Sequence, residues 1–293
     1  MIKKRIAVLL FLVSCSLSAQ IKGTVVDDNN KPIPYVNIWV ENENIGTTSE
    51  ENGEFTINTS DKNKNLIFSI LGFEKKIIKG NDGMKVNLKS VAFQLDEVLV
   101  PPRRYETKEI EIGQTENKTY QAFDNGPRID TKFFPYNPSY KKTKFIKEVS
   151  IQTDCRIDKA IIKIHFYAVD ANGFPGAELL DKDYIVSVKK GVLKTYFDLT
   201  DLNLRMPKNG IFVGFEKLII EKNKSEKITT DLVTNKTQVQ KTYFPFVLYC
   251  HVERDFLFTF SGGKWNKKTA ENNNDTSGKL RIQEPAINLT LTN

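Results

Sequence analysis

Apolar and polar residues alternate in short runs along most of this chain, and turn residues separate the runs. The run Glu54–Thr59 is typical, with Phe55 and Ile57 between polar neighbours. No stretch carries apolar residues at the 3.6-residue period of an amphipathic helix. Because side chains of a strand point alternately to its two faces, each run predicts a strand with one buried face. The pattern therefore predicts an all-β chain built from sandwiches.

The first group of strands lies between residues 20 and 100, and tight turns separate its members. Asn52-Gly53 and Asp82-Gly83 each stand between two alternating runs. These dipeptides favour two-residue hairpin turns because glycine adopts positive φ without a steric cost. We therefore expect a hairpin at Asn52-Gly53 with positive φ at Gly53, and a seven-strand sandwich over residues 20–100.

A second group of strands begins near Phe145 and continues to residue 293. In the run Ala160–Phe166, one face carries Ile162, Ile164 and Phe166, and the other carries Ile161, Lys163 and His165. About eight such runs predict a second sandwich over residues 145–293. Between the two groups, Pro101-Pro102-Arg103-Arg104 opens a stiff, polar stretch, so residues 101–144 are expected to be a linker and irregular segment. Residues 221–241 and 264–279 are expected to be exposed loops or ribbons.

The N-terminus has the features of an export signal. Three basic residues precede the apolar run Ile6–Val13, and small residues follow as far as Ala19, which predicts a signal peptide over residues 1–19. Cleavage after Ala19 leaves Gln20 as the first residue. Leu12–Cys15 also matches a lipoprotein signal, in which Cys15 is acylated and anchors the chain to a membrane. Both readings place the protein in the periplasm, at the outer membrane or on the cell surface.

The positive charge of the chain does not point to nucleic acid. Its formal net charge of +7 falls to +4 once Lys3, Lys4 and Arg5 leave with the signal peptide. Residues 101–147 hold ten Lys and Arg against six Asp and Glu, which accounts for all of that +4. A nucleic-acid-binding protein carries its basic patch on the fold itself. We therefore expect no nucleic-acid partner, and membrane contact only through a lipid anchor on Cys15.

Motifs for catalysis, metals or cofactors are not evident. The two histidines, His165 and His251, both lie in strands without the spacing of a zinc site, and we expect both on the surface. No catalytic residue, metal ligand or cofactor is therefore predicted. Trp265, after a glycine-containing loop, and Tyr243 are the candidate aromatic residues for binding a ligand such as a sugar.

Cys155 and Cys250 remain after removal or acylation of Cys15, and an even number of cysteines in an oxidising compartment permits one disulfide. The alternative is two separately buried thiols, each packed as a small apolar side chain. The sequence leaves both possibilities open.

Residues 20–100 resemble the carboxypeptidase regulatory-like domain, a prealbumin-like sandwich of exported Bacteroidetes proteins. The matching residues are Gly23-Thr24-Val25, Asp27, Pro32-Ile33-Pro34, Val36, Ile38, Gly46-Thr47, Gly53, Phe55, Ile57, Gly72-Phe73 and Leu95-Asp96-Glu97-Val98. Residues 166–215 resemble the jelly-roll domains of secreted bacterial proteins, some of which bind glycans. The first resemblance implies an accessory module in most of its hosts, without activity of its own.

Together these observations predict an exported, non-enzymatic binding or interaction protein of the cell envelope, whose partner is a protein or glycan. Two alternatives stay open. One is a glycan-binding accessory protein that uses loops of the second sandwich. The other is a hydrolase whose site in the second sandwich has no recognisable motif.

Overall fold

The computed structural model describes residues 19–59, 61, 63–91, 108–114, 120–122, 126–230, 237–269 and 280–293. Regular structure there consists of β-strands and three short 3-10 helices, so the all-β prediction is confirmed. The strands form two sandwiches and one separate ribbon. Within the described residues, no helix has the length and apolar character needed to cross a membrane.

The first sandwich has the seven strands predicted from its alternation. Their bounds are β1 (Ala19–Val26), β2 (Asn37–Val40), β3 (Gly46–Thr48), β4 (Glu54–Thr59), β5 (Asn65–Ser69), β6 (Lys76–Lys79) and β7 (Met84–Asn87). One sheet has the order β4-β1-β7 and the other the order β3-β2-β5-β6. In β4, Phe55 and Ile57 point inward while Glu54 and Thr56 are exposed, and inward residues of both sheets form one core.

The turn at Asn52-Gly53 differs from the predicted hairpin. Gly53 has the expected positive φ of 77°. However, β3 and β4 belong to different sheets, so the turn carries the chain from one sheet to the other. Periodicity and turn residues do not reveal which sheet a strand joins, because a strand of either sheet turns its apolar side chains towards the same core.

The second sandwich has two seven-stranded sheets that enclose the larger core. One sheet has the order β13-β12-β16-β10-β20-β21, with β14 paired to β12, and we call it the interface sheet. Its strands are β10 (Ile129–Phe134), β12 (Ala160–Val169), β13 (Pro175–Glu178), β14 (Tyr184–Val188), β16 (Ile211–Lys217), β20 (Phe256–Ser261) and β21 (Lys264–Thr269).

The other sheet of the second sandwich has the order β22-β19-β11-β23-β8, with β15 paired to β11 and β9 paired to β19. Its strands are β8 (Glu109–Ile112), β9 (Tyr120–Ala122), β11 (Phe145–Cys155), β15 (Gly191–Asp198), β19 (Phe246–Arg254), β22 (Leu280–Pro285) and β23 (Ile287–Thr292). A separate two-stranded ribbon, β17 (Lys224–Thr230) with β18 (Thr237–Tyr243), occupies most of the polar stretch 221–241.

The expected linker over residues 101–144 requires correction, because three strands lie within it. β8 and β9 pair with strands of the second sandwich, and β10 is central in the interface sheet. β10 pairs with β16 over its whole length, from Ile129–Glu216 to Phe134–Ile211. The prolines and turn residues around β10 obscured it in the sequence. Residues 101–107, 115–119 and 123–125 of the expected linker lie outside the described part of the chain.

The outer face of the interface sheet packs against the first sandwich. Trp39 of β2 contacts Phe260 of β20 edge to face, with ring centroids 6.0 Å apart. Ile161, Leu218 and Ile220 form a small buried cluster with Tyr35 packed against it. The two sandwiches therefore share an apolar interface, and the polar residues of this face lie next to it.

Candidate functional site

A cavity of about 490 Å³ in the second sandwich is the candidate binding site. It exists because β10 pairs with β20 at Ile129 and Asp130, whereas the later residues of β10 have no partner in β20. Its lining residues come from β8, β10, β16, β20, β22 and nearby turns: Ile112, Gly113, Thr131, Lys132, Phe133, Phe134, Pro135, Tyr140, Phe212, Arg254, Asp255, Phe256, Leu257, Phe258, Ile282 and Glu284. Its volume lies in the range of small-molecule sites, about 300–1,000 Å³.

Packed aromatic rings form one wall of this cavity. Phe133 lies 4.9 Å from Phe212 and 5.7 Å from Phe256, measured between ring centroids. Phe258 packs edge to face on Phe212 at 5.4 Å. Phe133 and Phe256 are half-buried, so part of each ring remains accessible. Rings that support one another in this way form a rigid apolar surface before any ligand arrives.

A buried group of charges forms a second wall. Lys132 Nζ lies 3.0 Å from Glu284 Oε1, and the two side chains are 3 % and 4 % exposed. Arg254 donates from Nε and Nη2 to the two carboxylate oxygens of Glu284, at 2.7 and 2.8 Å. Lys132 also donates to the carbonyl oxygen of Gly113. Burial lowers the pKa of Lys132, while the charge of Glu284 opposes that shift. Glu284 is therefore held between two cationic side chains.

Neutral hydrogen-bonding side chains are scarce in the cavity. Among the lining residues in the described part of the chain, only Thr131 and Tyr140 carry a hydroxyl group, and none is Asn, Gln or Ser. The Thr131 hydroxyl already donates to the carbonyl oxygen of Phe258 at 2.9 Å. The cavity therefore offers aromatic surface and charge, with few partners for an array of neutral hydroxyl groups.

A second group of charged residues lies between the two sandwiches. His165 on β12 contacts Glu178 through Nδ1 at 2.5 Å and Glu216 through Nε2 at 3.0 Å. Lys163, two residues earlier, lies 3.1 Å from Asp183 and 3.9 Å from Glu216. We call these five residues the interface network. Lys163, His165 and Glu216 share the outer face of the interface sheet because they alternate with core residues along β12 and β16. Glu178 ends β13, and Asp183 directly precedes β14.

The first sandwich covers the interface network. The side-chain amide of Asn37 donates to Glu216 Oε2 at 2.9 Å, and Lys163 donates to the backbone carbonyl of Tyr35 at 3.1 Å. The side chains of Lys163 and Glu216 are 1 % and 5 % exposed. These contacts explain the network as an attachment between the sandwiches, enclosed away from bulk water.

Protonation states follow from these contacts. Burial alone lowers the pKa of His165, but the two carboxylates overcome it and raise that pKa to about 9. Burial raises the pKa of Glu216, while Lys163 and His165 outweigh this effect and hold it below the ordinary value. At neutral pH His165 is therefore an imidazolium between two carboxylates. No group of three or more His, Cys, Asp or Glu in the described part of the chain has the arrangement of a metal site.

The prediction that both histidines lie on the surface is right for His251 and wrong for His165. His251 is exposed, whereas His165 is 7 % exposed. The ring of Tyr167 stacks on His165 at 5.4 Å and is itself covered by Trp265. Alternation identified the polar face of β12 correctly. It did not show that another domain covers this face.

The predicted ligand-binding residues Trp265 and Tyr243 are not brought together. Trp265 lies on strand β21, not in a loop, and packs edge to face on Tyr167 and Phe260, each at 5.2 Å. Tyr243 ends the ribbon opposite Lys224, and burial raises its pKa. Neither residue lines the cavity. Ligand binding by either one stays a prediction.

Cys155 and Cys250 are both buried free thiols in the structure. Of the two possibilities that the sequence left open, the structure therefore has the separate thiols and not the disulfide. Burial raises the pKa of the Cys155 thiol, and its sulfur donates to the carbonyl oxygen of Ile157. Cys15, the candidate lipidation site, lies outside the described residues.

Residues 21–100 match the family model described as the CarboxypepD_reg-like domain, which confirms the resemblance seen in the sequence. Among solved structures, DUF3823 family proteins of Bacteroides ovatus and Parabacteroides merdae are similar at 9 % and 11 % identity. The alignments cover 79 % and 68 % of this chain and 95 % and 98 % of those chains, with TM-scores of 0.21 and 0.20.

A third similar structure is that of infectious bursal disease virus, Gx strain, at 9 % identity and a TM-score of 0.24. That alignment covers 88 % of this chain and 60 % of the viral one. No curated protein matches the chain. The TM-scores are too low to carry an argument. Residues 21–100 are thus similar to the carboxypeptidase regulatory-like domain, and a second β-sandwich follows them in the chain.

Proposed function

We propose that this chain is an exported, non-enzymatic binding protein of the cell envelope, and that the cavity of its second sandwich is the binding site. The observation that carries this proposal is the cavity itself, with its volume of about 490 Å³, its aromatic wall and its buried charges. Binding sites for small molecules combine apolar walls with a few fixed polar groups in this way. The cavity takes a small molecule, or one end of the envelope protein or glycan that the sequence led us to expect.

The positions of the carboxylates favour binding over hydrolysis. Glu178 and Glu216 form the closest pair of acids around a histidine, and they lie in the interface network beneath the first sandwich. Inside the cavity, Glu284 is engaged by Lys132 and Arg254. A general acid or base must reach the reacting proton with one of its carboxyl oxygens. Both carboxylate oxygens of Glu284 already accept hydrogen bonds from Arg254, and one of them also contacts Lys132, so the group is poorly placed for that role.

The proposal treats the first nineteen residues as an export signal that is removed from the mature protein. The mass of the mature protein tests this part of the proposal. Cleavage after Ala19 gives a chain that begins at Gln20, and lipoprotein processing gives one that begins at an acylated Cys15. Intact mass spectrometry of protein purified from the cells that make it distinguishes the two. Fractionation of those cells should place the protein in the periplasm, at the outer membrane or on the surface. Full-length protein in the cytoplasm would contradict the proposal.

Ligand-induced stabilisation tests binding in the cavity. A ligand that binds only the folded state raises the melting temperature in a concentration-dependent way. The mature protein is screened against aromatic acids, neutral aromatic compounds and sugars, together with the variants Phe256→Ala and Tyr196→Ala. Phe256 lines the cavity, whereas Tyr196 is an exposed aromatic residue on β15, in the opposite sheet. We expect stabilisation that Phe256→Ala removes and Tyr196→Ala preserves. No stabilisation by any class would contradict the proposal.

A further inference from the structure

We propose that the cavity recognises a flat aromatic ring bearing a carboxylate, with the ring against Phe133 and Phe256 and the carboxylate at Arg254 and Lys132. This inference rests on the proposed function and specifies the ligand. It follows from the nature of the two walls, the donors they leave unused and the scarcity of neutral hydrogen-bonding groups.

The aromatic wall suits a flat apolar ring. Phe133, Phe212, Phe256 and Phe258 present ring faces and edges at fixed positions, because each ring packs on at least one other. Lys267 lies 5.6 Å from the centroids of Phe256 and Phe258 and gives these rings a cationic neighbour. An aromatic ligand gains offset or edge-to-face contacts on such a surface, in addition to the burial of its own apolar area.

The charged wall leaves donors available for an anion. The Lys132 ammonium has three N–H donors, and within the described residues Gly113 and Glu284 accept two of them. The ammonium also lies 5.5 Å from the centroid of the Phe134 ring, a weaker contact than a bond to an anion. Three of the five N–H groups of Arg254 are directed to Glu284 and to the backbone of Glu253. Among the described residues of this wall, two cations against one carboxylate leave a single positive charge unmatched. Asp255 also lines the cavity, but it is exposed to water, where its charge is strongly screened.

A carboxylate is the chemical group that matches this wall. Charge-assisted hydrogen bonds from arginine and lysine to a carboxylate are stronger than bonds between neutral groups. The side chain of Arg254 is 40 % exposed, so a ligand can reach it without first dismantling the buried Lys132–Glu284 pair. Lys132 and Arg254 both contact Glu284, so they lie close enough to share one anion.

A neutral sugar is a poorer match for this cavity than an aromatic acid. A sugar ring carries several hydroxyl groups, and burying any of them without a partner costs free energy. Of the lining side chains that the structure describes, only those of Thr131 and Tyr140 are neutral hydrogen-bonding groups, and Thr131 is already engaged. A ring with one charged group leaves fewer polar atoms without partners.

A matched pair of ligands tests this inference. Naphthalene-2-carboxylate and naphthalene-2-methanol share the ring and differ in the anionic group, and glucuronate supplies a carboxylate on a sugar ring. Dissociation constants are measured for the mature protein by calorimetry or fluorescence. We expect the naphthoate to bind about 10-fold more tightly than the alcohol, and more tightly than glucuronate.

Variants separate the roles of the two walls. Arg254→Gln should remove most of the preference for the naphthoate, and Phe256→Ala should weaken both naphthalene ligands. Arg281→Gln is the matched control, because it removes the same charge from β22 at a side chain that is 88 % exposed and absent from the cavity lining. Melting curves check that each variant folds. If Arg254→Gln does not fold, Arg254→Lys, which keeps the charge without the planar fork, is expected to lose part of the preference.

Each outcome decides one of the two proposals. A preference lost in Arg254→Gln and kept in Arg281→Gln supports the inference. Equal binding of the acid and the alcohol, weakened by Phe256→Ala, overturns carboxylate recognition and leaves the binding function intact. Binding of glucuronate without either naphthalene compound overturns recognition of an aromatic ring and leaves the binding function intact. Binding of none of these compounds counts against both proposals.

Discussion

The side-chain amide of Asn37 in the first sandwich donates to a carboxylate oxygen of Glu216 in the second, over 2.9 Å and across 179 positions of the chain. The same oxygen of Glu216 lies 3.0 Å from His165 and 3.9 Å from Lys163. One buried carboxylate of the interface network therefore links the two sandwiches. Its removal should affect both sandwiches.

We predict that Glu216→Gln lowers the free energy of unfolding by about 3 kcal/mol, because it leaves the buried cations of Lys163 and His165 with less compensating charge. Urea unfolding of the mature protein gives this value. Glu253→Gln is the matched control, since the Glu253 side chain is 55 % exposed and its ion pair with Arg281 is 3.5 Å long. It should change stability by less than about 0.5 kcal/mol. Equal small effects of the two substitutions would show that the interface network contributes little.

We predict that stability falls between pH 6.5 and pH 9 as His165 loses its proton. The folded-state pKa of about 9 lies above the ordinary value of 6.5, so the charged form stabilises the folded protein. That contribution is fully present below pH 6.5 and is lost as the pH rises through 9. The total change is about 3 kcal/mol, and it should disappear in His165→Gln, which has no group to titrate there.

The unfolding free energies of the wild type and of His165→Gln are measured at several pH values. The change with pH in the difference between the two proteins gives the contribution of His165. An NMR titration supplies an independent value, because the chain has two histidines and His251→Asn leaves the signal of His165 alone. A His165 signal that titrates near pH 6.5 would contradict the assignment of an imidazolium between Glu178 and Glu216.

We predict that alanine is tolerated less well at Gly53 than at Gly83, although both have positive φ, at 77° and 73°. A Cβ at Gly53 would lie 2.6 Å from the backbone oxygen of Val25, whereas one at Gly83 would have no atom within 4 Å. Gly83→Ala should cost about 1 kcal/mol through backbone strain alone. Gly53→Ala should cost about 3 kcal/mol, because the backbone must also shift.

Chemical denaturation of the two variants beside the wild type measures the difference. It isolates the close approach of Gly53 to β1 from the strain that both positions share. Equal costs at the two positions would mean that the turn between the sheets relaxes around the new side chain.

Local sequence patterns predicted which residues form strands more accurately than they predicted which strands and domains pack against each other. Alternation identified β12 and the sandwich core, because strands buried on one face repeat every two residues. It missed β10, whose short run lies among prolines and turn residues. It also placed His165 in solvent, since a polar face covered by another domain has the same sequence pattern as a face exposed to water.

The cavity was not predicted, for a similar reason. Lys132, Arg254 and Glu284 come from three strands that are distant in the sequence, and none belongs to a recognisable motif. Their association depends on the point where β20 stops pairing with β10. The run Ile129–Phe134 holds Asp130, Thr131 and Lys132 between apolar residues, so its composition gives no sign that Lys132 is buried and names no partner for it.

A crystal structure of the mature protein, prepared from the cells that make it or soaked with an aromatic acid, shows whether the cavity binds a ligand. We predict a bound small molecule in the cavity, with its flat part against Phe133 and Phe256 and its anionic group near Arg254 and Lys132. A cavity filled by the chain's own residues, with no ligand bound after soaking, would contradict this prediction.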